Sequence, residues 1–137
     1  MPSVSIFKAI KDNNIDLVKF LIGLGTKSNQ SANVTKEDQQ WLRNHLKTTG
    51  QKQYNLNKRS SKARTALHYA VQWNRISIAQ CLIECPMVNI NLQDLESGWT
   101  ALHRALYLGR IEIALLLVQR EGCDLSIKVD LAKIGKD

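Results

Sequence analysis

Apolar residues in this chain gather in short blocks separated by Asn, Gly and polar stretches. Three of these blocks are dense: Ile15 to Ile22, Ile76 to Ile83 and Ile111 to Val118. Each follows a shorter segment in which an apolar residue and an alanine stand three apart, namely Ile6 and Ala9, Leu67 and Ala70, and Leu102 and Ala105. Residues three apart share one face of an α-helix, so each short segment predicts a helix of about two turns. Asn13, Asn74 or Gly109 closes that helix. Asn and Gly reach the left-handed conformation most readily, so this slot predicts a C-terminal cap. Taken alone, the dense blocks would suit buried strands, being short and β-branched. Their constant place after a short helix and a reversal decides for a second helix.

The pattern is an internal repeat. Thr65-Ala66-Leu67-His68-Tyr69-Ala70 returns 35 residues later as Thr100-Ala101-Leu102-His103-Arg104-Ala105. The match continues without a gap from Leu67, Ala70, Asn74, Ala79 and Leu82 to Leu102, Ala105, Gly109, Ala114 and Leu117. Ile6, Ala9, Asn13, Val18 and Leu21 keep the same internal spacings in a weaker first copy. These residues resemble the ankyrin repeat, whose Thr-Pro-Leu-His-x-Ala block opens a unit of about 33 residues with a β-turn and two helices. Ala66 and Ala101 stand where that signature has Pro, and Ala is also a good first-turn residue. Asn89 to Thr100 is similar to the family's hairpin with two extra residues, and Asn57 holds its hairpin Asn slot. The resemblance implies an all-α solenoid of stacked helix-turn-helix units joined by hairpin loops.

On that reading the chain is a single domain. It has a repeat over 3–25, a degenerate or inserted segment over 26–56, repeats over 57–90 and 91–123, and a truncated hairpin over 124–137. Within 26–56, Thr35 and the acidic Glu37 and Asp38 open a helix that closes in basic residues and Gly50. Trp41, Leu42, His45 and Leu46 give it an apolar stripe expected to pack on the repeats. We favour a degenerate repeat with an extended basic hairpin over an insertion. The unfinished hairpin after Asp124 points to a fragment of a longer protein, monomeric in this form.

A longer string, Glu96-Ser97-Gly98-Trp99-Thr100-Ala101-Leu102-His103-Arg104-Ala105, followed by Tyr107, Gly109 and Ile111, narrows the resemblance. It is similar to the N-terminal ankyrin region of the BTB-domain family of the inhibitor of Bruton tyrosine kinase. That family implies a substrate adaptor for cullin-3 ubiquitin ligases, often with RCC1 repeats between the ankyrin and BTB parts. Neither a BTB nor an RCC1 domain lies within these residues.

Charge adds a second theme. The formal net charge is +7, from 19 basic and 12 acidic residues. No acid occurs between Asp38 and Glu84, whereas Arg43, Lys47, Lys52, Lys58, Arg59, Lys62, Arg64 and Arg75 do. A basic block of this kind is either a solvated loop or a surface for phosphate or acidic protein. Trp41, Tyr54 and Trp73 are the aromatic residues that would stack on bases, but no nucleic-acid-binding motif accompanies them. Nucleic-acid or anionic-surface binding through 43–75 is therefore the alternative reading and not the leading one.

Candidate chemistry is sparse. Gly23-Leu24-Gly25-Thr26-Lys27-Ser28 lacks the glycine before lysine that a phosphate loop requires, and Gly25 reads as a helix terminator. Cys81 and Cys85 stand four apart, but a structural zinc site needs a closed set of four ligands, so Cys81, Cys85 and Cys123 read as packing residues. His68 and His103 fall in the ankyrin His slot, which implies a hydrogen-bonded bridge between adjacent turns. No hydrolase, zincin or dinucleotide motif occurs, so no enzyme activity, cofactor or metal is expected. Three cysteines suit a reducing compartment, cytoplasmic or also nuclear, and no apolar run is long enough to span a membrane.

These points predict a non-enzymatic protein-binding scaffold. A solenoid leaves its concave face of first helices and hairpin tips free. The resemblance places its variable positions at Lys11, Asp12, Gln72, Trp73, Tyr107 and Leu108 on the helices, and at Lys62, Arg64, Glu96 and Trp99 on the hairpins. Trp73 and Tyr107 are expected on one surface, beside Arg104 and near Trp99, with Arg64, Lys62 and Arg104 as a basic rim. An acidic-aromatic protein surface is the expected partner.

Overall fold

The computed structural model describes residues 4–23, 34–51 and 53–127. Gly25, Lys27, Lys52 and the segment after Ile127 lie outside them. Seven helices follow in order: α1 (Ile6–Lys11), α2 (Ile15–Ile22), α3 (Lys36–Thr49), α4 (Ala66–Gln72), α5 (Ile76–Glu84), α6 (Ala101–Leu108) and α7 (Ile111–Gln119). Six of them are the paired helices of the three repeats. The described residues contain no strand.

Local chemistry starts and stops these helices where the residue types demand. Thr65 and Thr100 each cap a helix with the side-chain oxygen accepting from the amide three residues on, while His68 or His103 returns the bond to the threonine backbone. That is the capping-box arrangement, with histidine in the place of the usual Glu or Gln. Asn13 (φ 55), Asn74 (φ 54) and Gly109 (φ 72) all take the left-handed conformation predicted for the slot between paired helices. Gly23, at φ 93, ends α2, so the terminator is Gly23 and not Gly25. Gly23 is the first glycine the chain reaches after the apolar run, and its missing Cβ removes the penalty for φ > 0.

Packing runs in two rows. α1 lies against α4 and α4 against α6; behind them, α2 lies against α5 and α5 against α7. Ala9, Ala70 and Ala105 are buried where the first helices meet, which lets the backbones approach closely. Ile78, Leu82, Ile113 and Leu117 fill the space between rows. Because α1 meets α4 directly, the segment between them forms no intervening layer. Among the described residues of 26–56, α3 is the one helix, and α1 packs on α4 without it lying between them. α3 still joins the core through buried Leu42 and partly buried Trp41 and Leu46.

Two sets of side chains lock one repeat to the next. Arg75 donates to the carbonyls of Ile10 (3.1 Å) and Lys11 (2.6 Å), and Arg110 donates to those of Val71 (3.2 Å) and Gln72 (3.1 Å). Each guanidinium thus satisfies the open C-terminal end of the preceding first helix and places a cation at its negative pole. At the other edge, Asn57 binds the carbonyl of Met87 and the amide of Asn89. Asn91 does the same with Gly122 and Asp124. The ladder therefore continues into Asp124.

Candidate protein-binding surface

The concave face carries two hairpins with different chemistry. In the later one, Asp94 donates its amide to the Trp99 carbonyl, and its Oδ1 accepts from the Ser97 amide (2.7 Å), the Ser97 hydroxyl (2.6 Å) and the Gly98 amide (3.0 Å). Its Oδ2 takes a 3.1 Å bond from Arg104, whose other arm reaches Gln72 Oε1 at 3.2 Å. Burial alone would raise the Asp94 pKa; the bonds from Ser97 and Arg104 outweigh it and hold the carboxyl down at about 2. The Arg104 guanidinium also lies over the Trp99 ring, 5.2 Å from its centroid.

This network corrects two expectations. Arg104 is buried in an ion pair and is no rim residue, and Trp99 is only 6% exposed and no hairpin-tip anchor. The reason is the buried carboxylate of Asp94, which draws the guanidinium inward and leaves the indole face as its cover. His68 completes the cluster. Its Nε2 faces the Trp99 carbonyl at 2.8 Å, and its Nδ1 faces the Thr65 amide at 3.4 Å and hydroxyl at 2.7 Å. A carbonyl can only accept and an amide only donate, so Nε2 carries the proton and the ring is neutral. Burial pushes this imidazole down from 6.5 to about 4, against the raising effect of its bond to Trp99. The bridging role implied for the histidine slot is present at His68.

The remaining site candidates divide into two places. Tyr107 is 74% exposed and meets Trp99 edge-on, with centroids 4.9 Å apart. Trp73 has other ring partners: it stacks on Tyr69 at 5.0 Å, and Tyr69 meets Phe7 at 5.5 Å. Leu108, the repeat equivalent of Trp73, packs partly buried against the core. Gln72 is half-buried between Arg104 and Arg110. Arg64 forms an ion pair with Glu96 at 3.1 Å.

Phe7, Tyr69 and Trp73 floor a groove of about 710 Å³ between α1, α4 and the earlier hairpin. Lys8, Lys11, Lys58 and Lys62 line it and are exposed; Asp12 is its one carboxylate, and it pairs with Lys8 at 2.6 Å. Lys62 is thus the hairpin candidate that remains a rim residue. Sequence reasoning missed Phe7, Lys8 and Tyr69, and had Lys58 only as part of the basic block. A usable signal existed for two of them, because Lys8 and Tyr69 hold the same first-helix slot, four residues before the variable positions Asp12 and Trp73.

Three arginines of the basic block are bonded within the fold. Arg59 donates to the carbonyls of Ala63 and Gln93, Arg64 pairs with Glu96, and Arg75 closes α1. Lys58 lies over the Tyr54 ring, and Tyr54 itself is buried. Trp41 stacks on His45. Tyr54, Trp41 and Trp73 therefore do not form a continuous platform for bases. Burial raises the thiol pKa of Cys81 and of Cys123, so neither is an activated nucleophile. Among the described residues no group of His, Cys, Asp and Glu is arranged to hold a metal. None of their helices is long and apolar enough to cross a membrane.

The family model for ankyrin repeats matches residues 6–129 in three copies. The chain belongs to the ankyrin-repeat family. That family is a non-enzymatic interaction fold, and the stacked pairs with their open concave face fit it. Over 81 residues the chain is 38% identical to BTB/POZ domain-containing protein 1 of Schizosaccharomyces pombe, covering 59% of this chain and 6% of that protein. Over 65 residues it is 38% identical to the inhibitor of Bruton tyrosine kinase of Xenopus laevis, covering 47% of this chain and 5% of that protein. The chain thus spans a small fraction of the length of the curated relatives it matches. No solved structure gives a significant match.

Proposed function

We propose that this ankyrin domain is the partner-recruiting module of a larger BTB-type adaptor, one that delivers bound proteins to a cullin-3 ubiquitin ligase. The observation that carries this reading is the groove of Phe7, Tyr69 and Trp73 among exposed lysines, on the face that a solenoid leaves free. Large aromatic side chains in a recess are the groups that dominate protein interfaces. The likeness to BTB/POZ domain-containing protein 1 and to the inhibitor of Bruton tyrosine kinase supports the adaptor setting. Nucleic-acid binding through 43–75 is the weaker reading, because Arg59, Arg64 and Arg75 are already bonded within the fold.

Deleting residues 6–127 from the full-length protein tests the proposal. Cullin-3 binding should persist while the substrate proteins lose their ubiquitin chains. Unchanged substrate ubiquitylation, or no association of the full-length protein with cullin-3, would overturn it.

A further inference from the structure

The two hairpins of the concave face are built alike but charged differently. Ser60 plays the part of Asp94: its amide donates to the Arg64 carbonyl, and its hydroxyl accepts from the amides of Lys62 and Arg64. Tyr69 stands at the register of Arg104 and meets Ser60 through its hydroxyl at 2.8 Å. The exchange removes a carboxylate from the earlier hairpin and replaces a guanidinium by a ring. That ring extends the floor, stacked on Trp73 and edge-on to Phe7. All three rings are half-buried, so each keeps an accessible part.

Charge then selects the occupant. Lys11, Lys58 and Lys62 rim this floor, among the described residues no carboxylate pairs with them, and Arg59 beside them is bonded to neutral carbonyls. Asp12 is held by Lys8. A positive rim around an apolar floor attracts a negative chain that offers a large apolar side chain, and it repels a basic one. We infer that the groove between α1, α4 and the Lys58–Lys62 hairpin binds an acidic peptide segment of a partner protein, with one aromatic or large aliphatic side chain seated on Tyr69 and Trp73. This rests on the recruiting-module reading and names the class of partner it takes.

The test is selection of a randomised dodecapeptide phage library on the 137-residue chain. Enriched peptides should carry Asp and Glu around a Trp, Phe or Leu, and should weaken as salt rises. Trp73→Ala should lower their affinity about tenfold or more. The double variant Lys11→Glu/Lys62→Glu should do the same; both sites are exposed, so the fold is kept, and circular dichroism checks both variants. No enrichment, enrichment without acidic excess, or equal binding by the double variant would overturn the inference. So would tighter, Trp73-dependent binding of a single-stranded oligothymidine, which would assign the groove to nucleic acid. Failure here with loss of ubiquitylation in the deletion experiment moves the site elsewhere on the module and leaves the module standing.

Discussion

The hydroxyls of Ser60 and Tyr69 lie 2.8 Å apart, at the positions that Asp94 and Arg104 occupy one repeat later at 3.1 Å. One architectural joint, tying a hairpin to the first helix of its own repeat, is thus made once by a neutral hydrogen bond and once by a buried ion pair. The neutral version leaves an aromatic ring available to the groove. The charged version ties up both partners and closes Trp99 beneath them.

The two versions should fail very differently. Asp94→Ala leaves the buried Arg104 without its carboxylate and strips the Ser97 amide and hydroxyl of their acceptor, a loss of about 3–5 kcal/mol. Ser60→Ala removes the neutral bond to Tyr69 and two longer ones from the Lys62 and Arg64 amides at a half-buried site, and should cost about 1–2 kcal/mol. Urea denaturation of the two variants measures both. Equal losses would mean that the ion pair adds nothing beyond the hydrogen bond.

Acid should destabilise the protein in two steps. The unfolded chain takes a proton on His68 from 6.5 downward, whereas the folded protein resists until about 4. The unfolded state binds more protons in that window, so stability falls as pH drops through it, by about 3 kcal/mol in all. Asp94 acts lower: its contribution is complete above 3.8 and is lost as pH falls toward about 2. Denaturation midpoints between pH 7 and 4.5 should therefore slope in the native chain and flatten in His68→Gln. A slope unchanged by that substitution would place the titrating group elsewhere.

Backbone strain marks a third site. Ala63 holds φ 62 where the later hairpin has Gly98 at φ 74. A left-handed alanine costs on the order of 1 kcal/mol, and its bonds to Ser60, Arg59 and Leu95 all use backbone atoms that glycine keeps. Ala63→Gly should raise stability by about 0.5–1 kcal/mol in thermal melts, the relief outweighing the added freedom of the unfolded chain. A lower melting point would show that the alanine methyl packs better than its backbone suffers.

Periodicity carried the helices and their caps, because Asn13, Asn74 and Gly109 combine a fixed spacing with a residue type suited to one conformation. Burial of polar side chains was not legible in the same way. Arg104 and Trp99 look like surface residues by type, and only the placement of Asp94, four before Gly98, hides them. An Asp in that position is a turn-forming signal in its own right. The groove was half legible: Trp73 and Lys62 lie in variable slots, but their association with Phe7 and Lys11 depends on α1 meeting α4 across more than 50 intervening residues. Nothing in the spacing of 26–56 settles whether a helix there stacks as a layer or stands aside.

That same long-range contact gives the last prediction. Arg75 is the N-cap of α5, yet its side chain makes no cap bond there and reaches back to Ile10 and Lys11 at the end of α1. Arg110 repeats the geometry on α4. Replacing either by Met keeps much of the aliphatic stem and deletes the two bonds and the cation at the helix end, a loss of about 1–3 kcal/mol. The positions differ in what they hold. α1 packs on one neighbouring first helix, α4, and is only Ile6–Lys11 in length, whereas α4 is packed on both sides by α1 and α6. Arg75→Met should therefore loosen α1 and α2 ahead of the rest, while Arg110→Met should lower stability without separating any one repeat. Amide hydrogen exchange reads the difference directly. Faster exchange confined to residues 6–22 is expected for Arg75→Met, and uniform acceleration across α1 to α7 in that variant would show that the first repeat does not open on its own.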